Sequence, residues 1–132
     1  MAMPAFSQNP KFMSRDEFLK ISDEGLMRKT FSELSGENRY QIWTARFDEL
    51  LKLNFTAKEK EHIKSMKTYL IENKDGLYIK RKEKALTKFE TFMGEWSKYA
   101  KDQLGWNDIL IYYITEDLGH MTNADLAKLR KK

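Results

Sequence analysis

The chain has 132 residues, 33% of them charged and 13% aromatic, which suits one folded domain with a real core and excludes a disordered composition. It contains no cysteine, so disulfides and thiolate metal sites are excluded, although that absence does not fix the compartment. The net charge of +4 arises in the middle of the chain: residues 1–55 carry eight basic and eight acidic side chains, residues 56–102 twelve and eight. A surplus of this size is compatible with an acidic partner and does not predict one.

The opening MAMPAFSQNPKFM has neither the basic start nor the apolar run of a secretory signal, and no stretch approaches transmembrane length. The chain is expected in the cytoplasm or, as a mature form whose leader has been removed, in the cell envelope or medium. Pro4 and Pro10 mark residues 1–13 as a flexible N-terminal arm. Residues 14–132 read as a single all-helical domain.

Ser14 with Glu17 three residues on forms a capping box that opens the first helix, with Phe18, Leu19 and Ile21 on it. After Ser22-Asp23 a second helix carries Leu26, Met27, Phe31 and Leu34, and Ser35-Gly36 stops it. The third places Ile42, Trp43, Phe47, Leu50 and Leu51 on one face, with Arg39, Arg46, Asp48 and Glu49 largely off it. Arg39 and Arg46 lie within helical reach of the Trp43 ring. Thr56 with Glu59 is a second capping box, and Ile63, Met66 and Leu70 form the apolar face that follows.

Asn73-Lys74-Asp75-Gly76 reads as a turn, and a long helix follows over about residues 78–104, with Leu86, Phe89, Phe92, Met93, Trp96 and Tyr99 three or four apart. Gly94 inside it suggests a close helix approach or a bend, and Gly105 is a C-cap. Asp108 is the expected cap of the next segment, where ILIYYI has strand-like residues but helical neighbours, and a short buried helix is favoured. Thr122 or Asn123 starts the last helix, whose basic end suits a helix C-terminus. The expectation is an all-α bundle of five to seven helices without a β-sheet. One long central helix should pack on the Trp43 and Thr56 helices. Trp43, Phe47, Phe89, Phe92 and Trp96 should be buried together, each contributing roughly 1.5–3 kcal/mol.

Chemistry-bearing motifs are few. Glu59-Lys60-Glu61-His62 and Asp117-Leu118-Gly119-His120 have the spacing of carboxylate-bridged metal sites. Glu59 is already used as a cap, Gly119 breaks the turn that would align Asp117 with His120, and both surroundings read as solvent-like, so no metal is assigned. There is no Gly-x-Ser-x-Gly elbow, phosphate loop or dinucleotide fingerprint, so no catalytic residue, cofactor or enzymatic activity is assigned. The candidate interaction surface is the basic run Lys80, Arg81, Lys82 and Lys84 with Lys88, which could contact phosphates but lacks a base-reading module.

The stretch SDEGLMRKTFSELSGENRYQIWTARFDELLKLNFTAKEKEHI resembles the bacterial family named for its relation to the bacteriocin fulvocin C. Ser22, Arg28, Phe31, Leu34, Ser35 and Trp43 carry the resemblance, and Phe55-Thr56 with Glu59 resembles its Leu-Thr-x-x-Gln step. WSKYAKDQLGWNDILIYYITEDLG resembles the later Trp-containing helix of that family. The resemblance spans most of residues 14–119 in outline and falls on helix caps and core positions. It implies a non-enzymatic module with an unidentified protein partner, in a toxin, immunity or cell-envelope accessory role. The competing expectation, from the basic run, is a cytoplasmic nucleic-acid-associated regulator.

Overall fold

Side-chain caps set the helix starts in the computed structural model, which describes residues 12–131. Ser14 and Glu17 form the expected reciprocal box and open α1 (Arg15–Leu19). Asp23 accepts from the N–H groups of Gly25 and Leu26 to start α2 (Glu24–Glu33). Ser35, expected as a stop, also caps α3 (Gly36–Leu50) by accepting from Asn38 N–H. Thr56 and Glu59 form the second box, at the start of α4 (Ala57–Glu72). After α4 come a π-helical turn (Asp75–Ile79), α5 (Glu83–Leu104), α6 (Asp108–Thr115) and α7 (Asn123–Lys131). The described residues form no β-strand, and ILIYYI is helical. Among the described residues seven α-helices and the π turn make eight helical elements, against the five to seven expected.

The extra element arises where a turn leading directly into the long helix was expected. The chain leaves α4 through the π turn, which carries Leu77 into the core at 1% exposure. Gly76 is required there, because a Cβ on it would stand 2.9 Å from the Ala85 Cβ of α5. Arg81 then takes a left-handed φ of 49°, uncommon for a residue with a side chain, and the helix cannot run through it. The long helix therefore begins at Glu83. It spans 22 residues, about 33 Å at 1.5 Å per residue. Gly105 ends it as expected, at a φ of 71°.

Two smaller expectations are corrected. Gly94 is exposed and a Cβ there would meet nothing within 4 Å, so no helix approaches it. Asn107, not Asp108, caps α6 by accepting from Leu110 N–H. Residues 1–11 of the expected N-terminal arm lie outside the described residues. Met13 is tied down: its N–H donates to Asn38 Oδ1 at 2.7 Å, and Asn38 Nδ2 donates back to its carbonyl at 2.8 Å.

One continuous apolar core draws on α3, α4, the π turn, α5, α6 and α7, and a smaller cluster of Phe18, Leu34 and Ile42 lies beside it. The long helix packs on α4, the π turn and α6, and meets α3 through an edge-to-face contact of Trp43 with Phe89. Of the five aromatics expected to be buried together, Phe47 and Trp96 are. Trp43, Phe89 and Phe92 are half-buried at the margin of the core. The reason is geometric: one α-helix face is wider than the seam that a neighbouring helix covers.

Arg46 is the largest correction, being 1% exposed rather than off the apolar face. Its guanidinium donates to the carbonyls of Gly119 and Tyr113 and so clips the segment after α6 onto α3. Burial lowers its pKa to about 10, opposed by the charge of Asp117, so it stays charged at neutral pH. Arg15 lies beside it and makes a bidentate pair with Glu49, at 2.6 and 2.9 Å.

Candidate functional site

The motifs singled out by spacing are committed to structure. Glu59 is 4% exposed, not solvent-facing as its polar neighbours suggest. Its carboxylate accepts from Thr56 N–H at 2.8 Å, from the Trp106 indole at 2.6 Å and from Arg130 at 2.5 Å. Burial pushes its pKa up, but these hydrogen bonds outweigh burial and hold it below the usual carboxylate value. His62 does not join it. The imidazole stacks on Trp96 at 4.2 Å, beside Tyr99 at 4.8 Å, and its Nε2–H donates to the Trp96 carbonyl at 2.9 Å. Burial lowers the His62 pKa and the hydrogen bond partly offsets that.

The second motif is likewise divided. Asp117 accepts from Gly119 N–H at 3.1 Å, and the exposed His120 has Glu49 at 3.9 Å. Both line a cleft of about 250 Å³ with Asp125, whose carboxylate is held by the Thr122 N–H and hydroxyl, each at 3.0 Å. Among the described residues no three His, Asp or Glu side chains are placed to hold a metal ion.

The basic run divides at the start of α5. Lys80, Arg81 and Lys82 lie in the link before the helix, and Lys84 and Lys88 lie one turn apart on it. All five are exposed. Among the described residues only Lys80 of these makes an ion pair, at 3.7 Å to Asp75. Lys82 is the N-cap residue, and its side chain makes no capping hydrogen bond.

A different feature was not visible in the motifs. Phe31 of α2, Trp43 of α3, Phe89 and Met93 of α5, and Leu118 form the apolar wall of an open groove of about 480 Å³. Thr115 lies in it, and Glu90 and Glu116 stand at its rim. Phe89 packs edge-to-face on Trp43 within the wall, at 6.4 Å, and against Tyr69 at 5.9 Å. Helical spacing correctly marks these residues as apolar, but spacing alone does not separate a core position from a groove wall. That distinction depends on which neighbours cover each residue, which spacing does not encode.

No helix of the described residues is long and apolar enough to cross a membrane. No family model matches the chain, and neither a curated protein nor a solved structure matches it.

Proposed function

We propose that this chain is a non-enzymatic protein-interaction module, in the toxin, immunity or cell-envelope accessory role that its resemblance to the fulvocin C-related family implies. The observation that carries this reading is the groove beside Trp43. Large apolar side chains from α2, α3 and α5 stand half-buried there, around an open volume of about 480 Å³. Half-buried apolar side chains lining one open concavity suit an interaction site, whereas the chain's exposed large apolar residues, such as Leu26, Ile71 and Ile109, lie outside the groove. The buried charged groups support the same reading, because Arg15, Glu59 and the terminal nitrogens of Arg46 are committed to hydrogen bonds that join elements of the fold.

The experiment is affinity capture from lysate and envelope fractions with three proteins: the native chain, Met93→Glu, and a Lys80/Arg81/Lys82 charge reversal. Nuclease treatment and a salt series are included. Capture of one protein that survives nuclease, and that Met93→Glu loses while keeping its helical circular dichroism, supports the groove. Equal capture by native chain and Met93→Glu refutes it.

A second reading, a cytoplasmic nucleic-acid-associated regulator, is favoured by the five exposed cations at the uncapped start of α5. It predicts binding of mixed DNA or RNA that weakens steeply with salt and disappears on the charge reversal. Binding that ignores either change refutes it.

A further inference from the structure

The rim of the groove has a charge opposite to that of the chain as a whole. The protein carries +4, yet the groove lining includes two carboxylates, Glu90 and Glu116, and no Lys, Arg or His. Both carboxylates are exposed, and neither enters an ion pair among the described residues. The residues three and four positions from Glu90 on α5 are Leu86, Thr87, Met93 and Gly94, so no helical neighbour neutralises it. Glu116 is the C-cap of α6, whose last turn has no basic residue. A carboxylate there faces the negative end of the helix dipole and is locally unfavourable. An arriving cation would relieve both.

We infer that the groove receives an amphipathic helix of a partner protein, with apolar side chains on one face and Lys or Arg beside them. This rests on the interaction-module reading. The apolar side chains seat against Trp43, Phe89 and Met93, and the cations meet Glu90 and Glu116. A helix fits better than an extended peptide. The described residues offer no sheet edge to satisfy a strand's backbone N–H and C=O groups, whereas a helix satisfies its own. A second copy of this chain fits poorly groove to groove, because a two-fold contact would bring the carboxylates of one groove towards those of the other with no cation between them.

The test uses the full chain and three 18-residue probes. One is a helix of Leu and Lys with Leu at i, i+3, i+4 and i+7; the second carries Glu in place of Lys; the third is Lys-rich without a Leu face. Tryptophan emission reads binding, because Trp43 lines the groove while Trp96 and Trp106 are 3% and 4% exposed. The expected result is a saturable change with the Leu/Lys helix, absent in Trp43→Phe. Affinity for the Glu helix and the Lys-rich peptide should be at least tenfold lower. Glu90→Lys/Glu116→Lys, a pair of surface changes, should reverse the preference between the Lys and Glu helices. Equal binding of both helices refutes the basic partner. If groove-dependent capture persists in that case, the interaction-module reading stands. No binding of the Leu/Lys helix overturns the inference, and sedimentation showing a dimer abolished by Met93→Glu replaces the partner with a second copy.

Discussion

Glu59→Gln removes one charge and almost no volume from a carboxylate that joins α4 to Trp106 and α7. In the native chain Oε1 accepts from Thr56 N–H and Arg130, and Oε2 accepts from the Trp106 indole. The Gln side chain keeps one oxygen, so at least one of these donors then faces an NH₂ group. A hydrogen bond to a charged group is worth about 1.5–3 kcal/mol, and the loss should lie in that range. The Arg130 contribution is discounted because that side chain is 37% exposed. For a domain of this size the melting temperature should fall by about 5–15 °C. Glu59→Ala also leaves the buried indole N–H without its acceptor and should lose about 3–5 kcal/mol. The pH dependence gives an independent check. The carboxyl pKa is lower in the folded chain than its ordinary value of 4.5, so its stabilisation is present above pH 4.5 and lost as pH falls through the folded value. Gln does not titrate there, so the gap between native and variant should be full at pH 7 and shrink below pH 4.5. Thermal melts followed by circular dichroism at a series of pH values measure both. A shift of under about 2 °C at pH 7, or a gap unchanged on acidification, would refute the reasoning.

Gly94→Ala should stabilise the chain by about 1 kcal/mol, because the position is exposed, helical and open; urea denaturation measures it, and a loss of stability would mean that the helix needs glycine there. Burial lowers the His62 pKa from 6.5, so the neutral form stabilises the fold fully above pH 6.5 and that contribution is lost as pH falls through the folded value. His62→Phe should flatten this limb of a stability–pH curve while leaving the one below pH 4.5, and an unchanged upper limb would contradict the assignment. Arg46→Ala leaves the Gly119 and Tyr113 carbonyls without their donor and opens a cavity, and should cost about 3–5 kcal/mol by urea denaturation. A loss below 1 kcal/mol would place Arg46 at the surface, where the spacing put it.

What was legible in the sequence is local. Both capping boxes and the Gly105 stop depend on residues within one turn of each other, whereas ILIYYI, whose residues leave helix and strand both open, is a helix with Ile109, Tyr112 and Tyr113 exposed rather than a fully buried one. What was not legible depends on partners far along the chain. Arg46 sits among charged residues on α3, and its acceptors are backbone carbonyls 67 and 73 residues away, which carry no side-chain signature. Glu59 showed its capping role, within three residues, but not its pairing with Trp106 and Arg130, 47 and 71 residues on. The late start of α5 follows from Leu77 being drawn into the core through a π turn, a preference that helical periodicity does not encode. The groove belongs to the same class. Trp43, Phe89 and Met93 have core spacing, yet the folded chain leaves them half-buried along the groove.

The most direct test of the groove is an amide and indole nuclear magnetic resonance map of the ¹⁵N-labelled chain titrated with the Leu/Lys helix. The account predicts that the Trp43 indole signal moves, together with amides near Phe31, Phe89–Met93 and Thr115–Leu118, while the Trp96 and Trp106 indoles hold. Shifts confined to Lys80–Lys88, or none at all, would contradict it.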